Sequence, residues 1–273
     1  MFDRHLTVWP EGVPRQIEVP EHSVALNLTQ TAARVPGNTA IIFHGAALTY
    51  AELNAQVESL AGWLQAHGIA KGDRVLLYMQ NSPHFVVGYY AILRADGVVV
   101  PVNPMNRTLE LRHLAEDTGA RVALVGQELL PHIAPLIGAT PLAHVVACAY
   151  ADMTDPACDL KLPEALAAPP PASYGLPGVT RWADALAAGH APGPVTAGPD
   201  DLAVIPYSSG TTGRPKGCMH THRTAMWTIV GGLIWNPRGL GKPSLVTLPL
   251  FHVTGMQNSM NGPIMAGDCM VIM

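Results

Sequence analysis

Residues 207–217 read YSSGTTGRPKG. An apolar run, LAVIPY at 202–207, leads in, and helix-like sequence follows from Thr221 to about Gly231, so the segment is expected to occupy a strand–loop–helix turn. Gly210 and Gly213 allow the backbone to turn its N–H groups inward without a Cβ clash. Ser208, Ser209, Thr211 and Thr212 bring hydroxyls, Lys216 brings a positive charge and Arg214 a second. Inward N–H groups form an anion nest, hydroxyls bind oxygens and a cation offsets charge, a combination that suits a polyphosphate. The segment is not a Walker A loop, which needs Gly-x-x-x-x-Gly-Lys followed by Ser or Thr. Here Gly210 is followed five positions later by Pro215, and Lys216 by Gly217. A solvated Ser/Thr/Gly turn has the same composition, so composition leaves both readings open.

Working outward, the first 150 residues alternate helix and strand signals. Thr49-Tyr50-Ala51-Glu52 fits a capping box, Leu53, Val57, Leu60 and Leu64 follow at helical spacing, and Gly68 ends the helix. Residues 74–79 (RVLLYM) read as a buried strand, and Ser82-Pro83 as an N-cap with Pro at N1, starting a helix that runs to Ala95. Residues 97–102 (GVVVPV), 121–125 (RVALV) and 144–147 are further strands, with a helix over 108–117 between the first two. Short apolar strands separated by helices indicate βαβ units, so the expected fold is α/β, with stacked, mostly parallel sheets flanked by helices. Residues 151–200 hold nine prolines and many alanines and read as an irregular excursion, a linker or a surface insertion, with a short helical piece near Trp182. The expected organisation is therefore a first α/β subdomain over 1–150, the excursion over 151–200, and the start of a second α/β subdomain over 201–273. Strands are expected at 245–248 and 268–273. The chain ends within the last of these, and a bare apolar edge invites pairing, which suggests a portion of a longer protein.

The chain has 273 residues, 48% hydrophobic and 13% charged, with a net charge of −4 and a mean hydropathy of +0.20. That permits a sizeable core and gives no general attraction to nucleic acid or an anionic membrane, so an anion site must be local. Cys148, Cys158, Cys218 and Cys269 have no metal-ligand spacing and read as reduced thiols. Residues 1–10 lack an apolar core for a signal peptide, and the apolar stretch 85–102 is broken by Arg94, Asp96 and Pro101. A cytoplasmic protein without a transmembrane segment is expected.

YSSGTTGRPKG closely resembles the phosphate-binding signature of the adenylate-forming (AMP-binding) superfamily, which runs Tyr or Phe, Ser or Thr, Ser-Gly, Ser or Thr, Thr-Gly-x-Pro-Lys-Gly; every defined position matches. His222 sits where that family commonly has a histidine just past the loop. Residues 248–255 (LPLFHVTG) resemble the family's next motif, Pro-Leu-Phe-His-x-x-Gly at a strand end. Read alone, His252 would be an N-cap or a core histidine. Looser matches are LTYAEL at 48–53, GDRV at 72–75 and PVNP at 101–104, so the resemblance runs from about residue 25 to the end.

This resemblance implies a partial large N-terminal domain of an acyl-CoA synthetase or fatty-acid–CoA ligase, without the small C-terminal domain. It implies that a carboxylate attacks the α-phosphate of ATP with Mg²⁺ to give acyl-adenylate and pyrophosphate, and that coenzyme A then displaces AMP. Ser208, Ser209, Gly210, Thr211, Thr212, Gly213, Arg214, Lys216 and Gly217 would hold the β- and γ-phosphates, with Lys216 as a mobile catalytic cation and Ser208 near Mg²⁺. His252 would line the acyl pocket near the reacting carboxylate and the thiol entry. The family's Tyr-Gly-x-Thr-Glu motif, its ribose-binding Asp and its distal catalytic Lys have no counterpart, so the chain alone is expected to be inactive. The expected partners are a small-molecule carboxylic acid, ATP and coenzyme A, with no nucleic acid; a homodimer stays open. A medium- or long-chain fatty acid is the first substrate expectation and an aromatic acid the alternative. A non-catalytic binding or assembly protein on the same scaffold is the reading from another class. Met256, Met260 and Met265 suit an apolar acyl wall or core packing equally.

Overall fold

The computed structural model describes residues 4–208, 215–236 and 240–273. Helix α1 (Ala25–Arg34) precedes strands β1 (Thr39–Phe43) and β2 (Ala46–Thr49). They are joined at His44 and Gly45, both at positive φ, and a Cβ on Gly45 would lie 2.7 Å from Cys158 Cβ. The capping box forms as expected, with Thr49 Oγ1 accepting the Glu52 N–H at 3.2 Å and Glu52 Oε2 accepting the Thr49 N–H at 2.8 Å, and it starts α2 (Tyr50–Ala66). Strand β3 (Arg74–Tyr78) leads to Ser82, whose hydroxyl accepts the Phe85 N–H at 3.3 Å and caps α3 (Pro83–Arg94). There follow β4 (Val98–Pro101), α4 (Thr108–Thr118), β5 (Val122–Gly126), α5 (Leu130–Ile133) and β6 (His144–Cys148). The later elements are β7 (Val179–Arg181), α6 (Trp182–Ala187), β8 (Leu202–Val204), β9 (Tyr207–Ser208), β10 (Lys216–Gly217), β11 (His220–Thr221) and α7 (His222–Trp235). Then come β12 (Pro243–Val246), α8 (Val253–Gly255), a π turn over Met256–Asn261, α9 (Gly262–Ala266) and β13 (Cys269–Ile272).

The fold is α/β, as expected. A seven-stranded sheet runs β11-β8-β4-β3-β5-β6-β7 and is parallel except where β11 meets β8. A four-stranded sheet runs β12-β13-β1-β2, parallel except for the β1–β2 pair. The inner strands are apolar on both faces because helices cover both. Along β3, Val75 and Leu77 join the core that contains α1, α2, α3 and the inward residues of the smaller sheet, whereas Leu76 and Tyr78 join the core under α4 and α5. This is the period-two alternation of a strand.

Two expectations change and one open alternative is narrowed. The sheets do not follow a division at 151–200: β8 and β11 extend the sheet begun by β3, and β12 and β13 pair onto β1. Backbone pairing between distant segments governs here, with Val99 opposite Val204 and Ile42 opposite Val271. Of the two readings of residues 151–200, a linker or a surface insertion, the contacts favour the second. β7 adds to β6, Trp182 and Ala185 of α6 are buried, and Asp96 accepts the N–H groups of Thr196 and Ala197. Finally, β13 is not an edge, since β1 and β12 pair with it on either side, so an exposed edge supports no inference about the chain's extent. Met256 and Met260 are buried in the core and Met265 packs against it. Among the described residues no helix is long and apolar enough to cross a membrane.

Candidate functional site

Ser209, Gly210, Thr211, Thr212, Gly213 and Arg214 lie outside the described residues. On either side of them β9 and β10 pair antiparallel, Ser208 opposite Lys216 and Tyr207 opposite Gly217. The expected LAVIPY strand is broken at Ile205 and Pro206, where a proline cannot donate to a ladder, into β8 and β9. The expected strand–loop–helix arrangement is also corrected. After β10 the chain forms β11 against β8 before α7 begins, and Thr221 caps that helix by accepting the Thr224 N–H at 3.2 Å. The start of α7 therefore belongs to β11 and its own cap. Gly217 is required by close approach, since a Cβ there would lie 2.7 Å from Ile205 Cγ2 and 3.2 Å from Tyr207 Cζ. The Ser208 hydroxyl donates to the Lys216 carbonyl at 3.5 Å, and both side chains are exposed.

Ser208 and His252 line one cavity of about 600 Å³. It lies beyond the carboxyl ends of β4 and β8, the usual ligand position in an open parallel sheet: Pro101, Val102 and Asn103 leave β4, and Pro206 leaves β8. Glu110 and Leu114 of α4 form one wall, Pro215, Cys218 and His220 another, and Phe251, His252 and Val253 a third. Lys216 and Gly217 are outside this lining, although Lys216 pairs directly with Ser208. His222 is also outside it and is buried. Met256, Met260 and Met265 do not line it, so core packing accounts for the first two.

His252 is the residue before α8, and its side chain makes no cap bond. Its N–H donates to the Pro249 carbonyl at 3.1 Å. Asn81, just beyond β3, fixes the approach to it: Asn81 Oδ1 accepts the Leu250 N–H at 2.8 Å and Asn81 Nδ2 donates to the Leu248 carbonyl at 3.0 Å. Sequence reasoning missed Asn81, which lies far from the motif it holds.

Glu110 is the carboxylate among the cavity's lining residues. Its carboxyl is held below the usual range by backbone N–H groups at the start of α4, its own and that of Arg107. Among the described residues no lysine or arginine lines the cavity, and Lys216, paired with Ser208, is the cation beside that lining residue. Sequence reasoning also missed two residues on α4 that contact the paired strands. The Tyr207 hydroxyl donates to Asp117 Oδ2, and His113 Nε2 lies 3.3 Å from the Pro215 carbonyl oxygen. Burial and the Asp117 carboxylate push the Tyr207 hydroxyl's pKa up. Among the described residues no group of three or more His, Cys, Asp or Glu side chains suits a metal ion. What the described lining offers Mg²⁺ near the signature segment is the Ser208 hydroxyl, a single neutral oxygen, which fits an ion carried mainly by phosphates and not by a protein cage.

The sequence profile of the family described as AMP-binding enzyme matches residues 28–273. The long-chain-fatty-acid–CoA ligase of Bacillus subtilis is 28% identical over 280 residues, 98% of this chain and 49% of that protein. The feruloyl-CoA synthase of an Amycolatopsis species is 33% identical over 221 residues, 81% of this chain and 38% of that protein. The structure of a Mycobacterium tuberculosis fatty acyl CoA synthetase superposes with a TM-score of 0.71 at 26% identity, over 92% of this chain and 44% of that one. The chain thus spans about half the length, or less, of the curated relatives it matches.

Proposed function

This chain belongs to the AMP-binding enzyme family, and from that premise we propose that it is the N-terminal part of an ATP-dependent acyl-CoA synthetase. The carboxylate of the acid attacks the α-phosphorus of ATP, pyrophosphate leaves, and the thiol of coenzyme A then attacks the acyl-adenylate carbonyl and releases AMP. The observation that carries this reading is that Ser208, at the base of the signature segment, and His252, in the second motif, line one cavity.

In this reading the 208–217 segment takes the β- and γ-phosphates. Lys216, exposed and next to Ser208, moves its ammonium onto charge that builds on the phosphoryl oxygens and the leaving pyrophosphate. His252, across the cavity, faces the reacting carboxylate and then the incoming thiol. Mg²⁺ would be held by the ATP phosphates with the Ser208 hydroxyl as a protein ligand, and would supply charge neutralisation. Holding two anions within one cavity converts an encounter between them into a positioned reaction. We place the reaction in the cytoplasm, where ATP and coenzyme A are available.

A fatty acid is the first substrate class, and the B. subtilis relative supports it. The higher identity of the feruloyl-CoA synthase, over a shorter span, keeps an aromatic acid as the second. A panel of both acid classes, assayed for acyl-CoA with a protein extended to the length of its relatives, separates the two. The 273 residues alone are expected to release no pyrophosphate. The direct test of the site is calorimetric titration of Mg–ATP into the 273-residue chain and its Lys216→Ala variant. A loss of about tenfold or more in affinity, without loss of thermal stability, is expected. Equal affinity in the two proteins would overturn this reading in favour of a non-catalytic scaffold.

A further inference from the structure

β9 and β10 pair over two residues each. A two-stranded ladder that short does not hold itself together in water, so something else must fix the strands on either side of 209–214. Helix α4 touches both. The hydroxyl of Tyr207, on β9, donates to Asp117. His113, one helical turn earlier on the same face, meets the carbonyl of Pro215, the residue that leads into β10, at 3.3 Å. A carbonyl oxygen can only accept, so His113 Nε2 carries the proton of that bond. The two contacts also support each other: the His113 ring stands edge-on to the Tyr207 ring, with centroids 6.3 Å apart and planes at 85°. The adjacent stripe of α4, Glu110 and Leu114, lines the same cavity as Ser208. One helix thus lines the cavity and contacts the chain at both strands.

Tyr207 packs against the core under α4, but that packing does not account for its hydrogen bond to Asp117 or for the His113 contact. Asp117 is exposed, and His113 and Tyr207 are only partly buried. An exposed carboxylate–phenol bond adds little to global stability, so its effect is local order in β9 and β10. We propose that Asp117 and His113 are positioning residues for Ser208 and Lys216, fixing the separation and orientation of β9 and β10 so that these two residues are held side by side before a polyphosphate arrives. This rests on the reading of 208–217 as the polyphosphate site. Preorganised donors bind more tightly because the ordering cost is met before the ligand arrives.

The test uses the 273-residue chain with Asp117→Ala, Asp117→Asn, Tyr207→Phe, the Asp117→Ala/Tyr207→Phe double variant, and Lys216→Ala. Two properties are measured: amide hydrogen exchange at residues 216–218, with β3 and β5 as internal controls, and affinity for inorganic tripolyphosphate with Mg²⁺, which needs no adenine pocket. Asp117→Ala and Tyr207→Phe should each speed exchange at 216–218 by about fivefold, leaving β3 and β5 unchanged. Each should weaken tripolyphosphate binding by roughly three- to tenfold, and the double variant should lose no more than either single one, since one contact is removed twice. Asp117→Asn should restore much of both, because an amide oxygen still accepts from the Tyr207 hydroxyl. If Asp117→Ala and Tyr207→Phe match the unaltered chain in exchange and affinity while Lys216→Ala loses binding, the positioning role is overturned and the phosphate reading stands. If Lys216→Ala loses nothing, or the unaltered chain binds no tripolyphosphate, the phosphate reading itself is overturned and the positioning role goes with it.

Discussion

The backbone N–H of Val24 donates to Nδ1 of His222 at 3.0 Å, joining the residue before α1 to the first residue of α7. Ser23 Oγ lies 3.5 Å from the same nitrogen. Because Nδ1 accepts from a backbone N–H, it holds no proton. The ring is almost fully enclosed, and that burial pushes its pKa down to about 4, against smaller raising effects from Asp201 and Asp96. His222 matches a family position next to the phosphate segment, yet here its ring fastens the chain ahead of α1 to α7.

Stability should therefore depend on pH through His222. The folded chain keeps the imidazole neutral down to about pH 4, whereas the unfolded chain protonates it near the ordinary value of 6.5. Between those values the unfolded state holds more protons, so this contribution is fully present above about pH 6.5 and is lost as pH falls towards 4. It amounts to something on the order of 3 kcal/mol. Urea midpoints of the unaltered chain and a His222→Gln variant at pH 7, 6, 5 and 4.5 check this. The variant should start less stable and fall less steeply. Parallel pH curves would show that His222 is not the titrating group.

Thr49→Ala tests the most legible feature of the sequence. The substitution removes the hydroxyl that accepts the Glu52 N–H, and such caps contribute about 1 kcal/mol. A shift of that size in the unfolding midpoint, with no change in Mg–ATP affinity, is expected. Caps such as Thr49/Glu52 and Ser82/Pro83 could be read because every partner lies within one helical turn. The sheets could not be read that way. Val99 and Val204, or Ile42 and Val271, have no local pattern that announces their pairing. The site divides along the same line. The signature segment and LPLFHVTG were visible as contiguous strings, but Asn81, His113 and Asp117 act across long stretches of chain and look like ordinary polar residues in their own elements. The β9–β10 pairing was hidden because two residues per strand carry no periodicity.

Asn261 should be among the residues least tolerant of substitution. Its Oδ1 accepts the Tyr90 hydroxyl at 2.8 Å, and its Nδ2 donates to the Tyr89 hydroxyl at 3.1 Å and to Gln257 Oε1 at 3.1 Å, all in the buried joint between α3 and the π turn. Asn261→Leu would leave the Tyr90 hydroxyl without its acceptor, and burial already pushes that phenol's pKa well up. A loss of about 2–3 kcal/mol is expected by chemical denaturation. Adding Tyr90→Phe to Asn261→Leu should recover part of it, because the orphaned hydroxyl is then removed as well. A double variant no more stable than Asn261→Leu would place the cost in shape, not in the unmet hydrogen bond.

Gly255 and His252 depend on the same oxygen, and this separates a stability role from a chemical one within the second motif. The Pro249 carbonyl accepts the His252 N–H at 3.1 Å, and a Cβ on residue 255 would stand 2.1 Å from that carbonyl oxygen. Gly255→Ala must therefore move the turn that carries His252. An overpacking cost of about 3 kcal/mol is expected, together with displacement of the imidazole from the cavity wall. His252→Ala should leave the unfolding midpoint within about 0.5 kcal/mol, since the side chain is exposed and caps nothing. In a protein of the relatives' length both variants should lose acyl-CoA formation, but only Gly255→Ala should also unfold earlier. If His252→Ala keeps full activity, the histidine serves the turn and not the reaction.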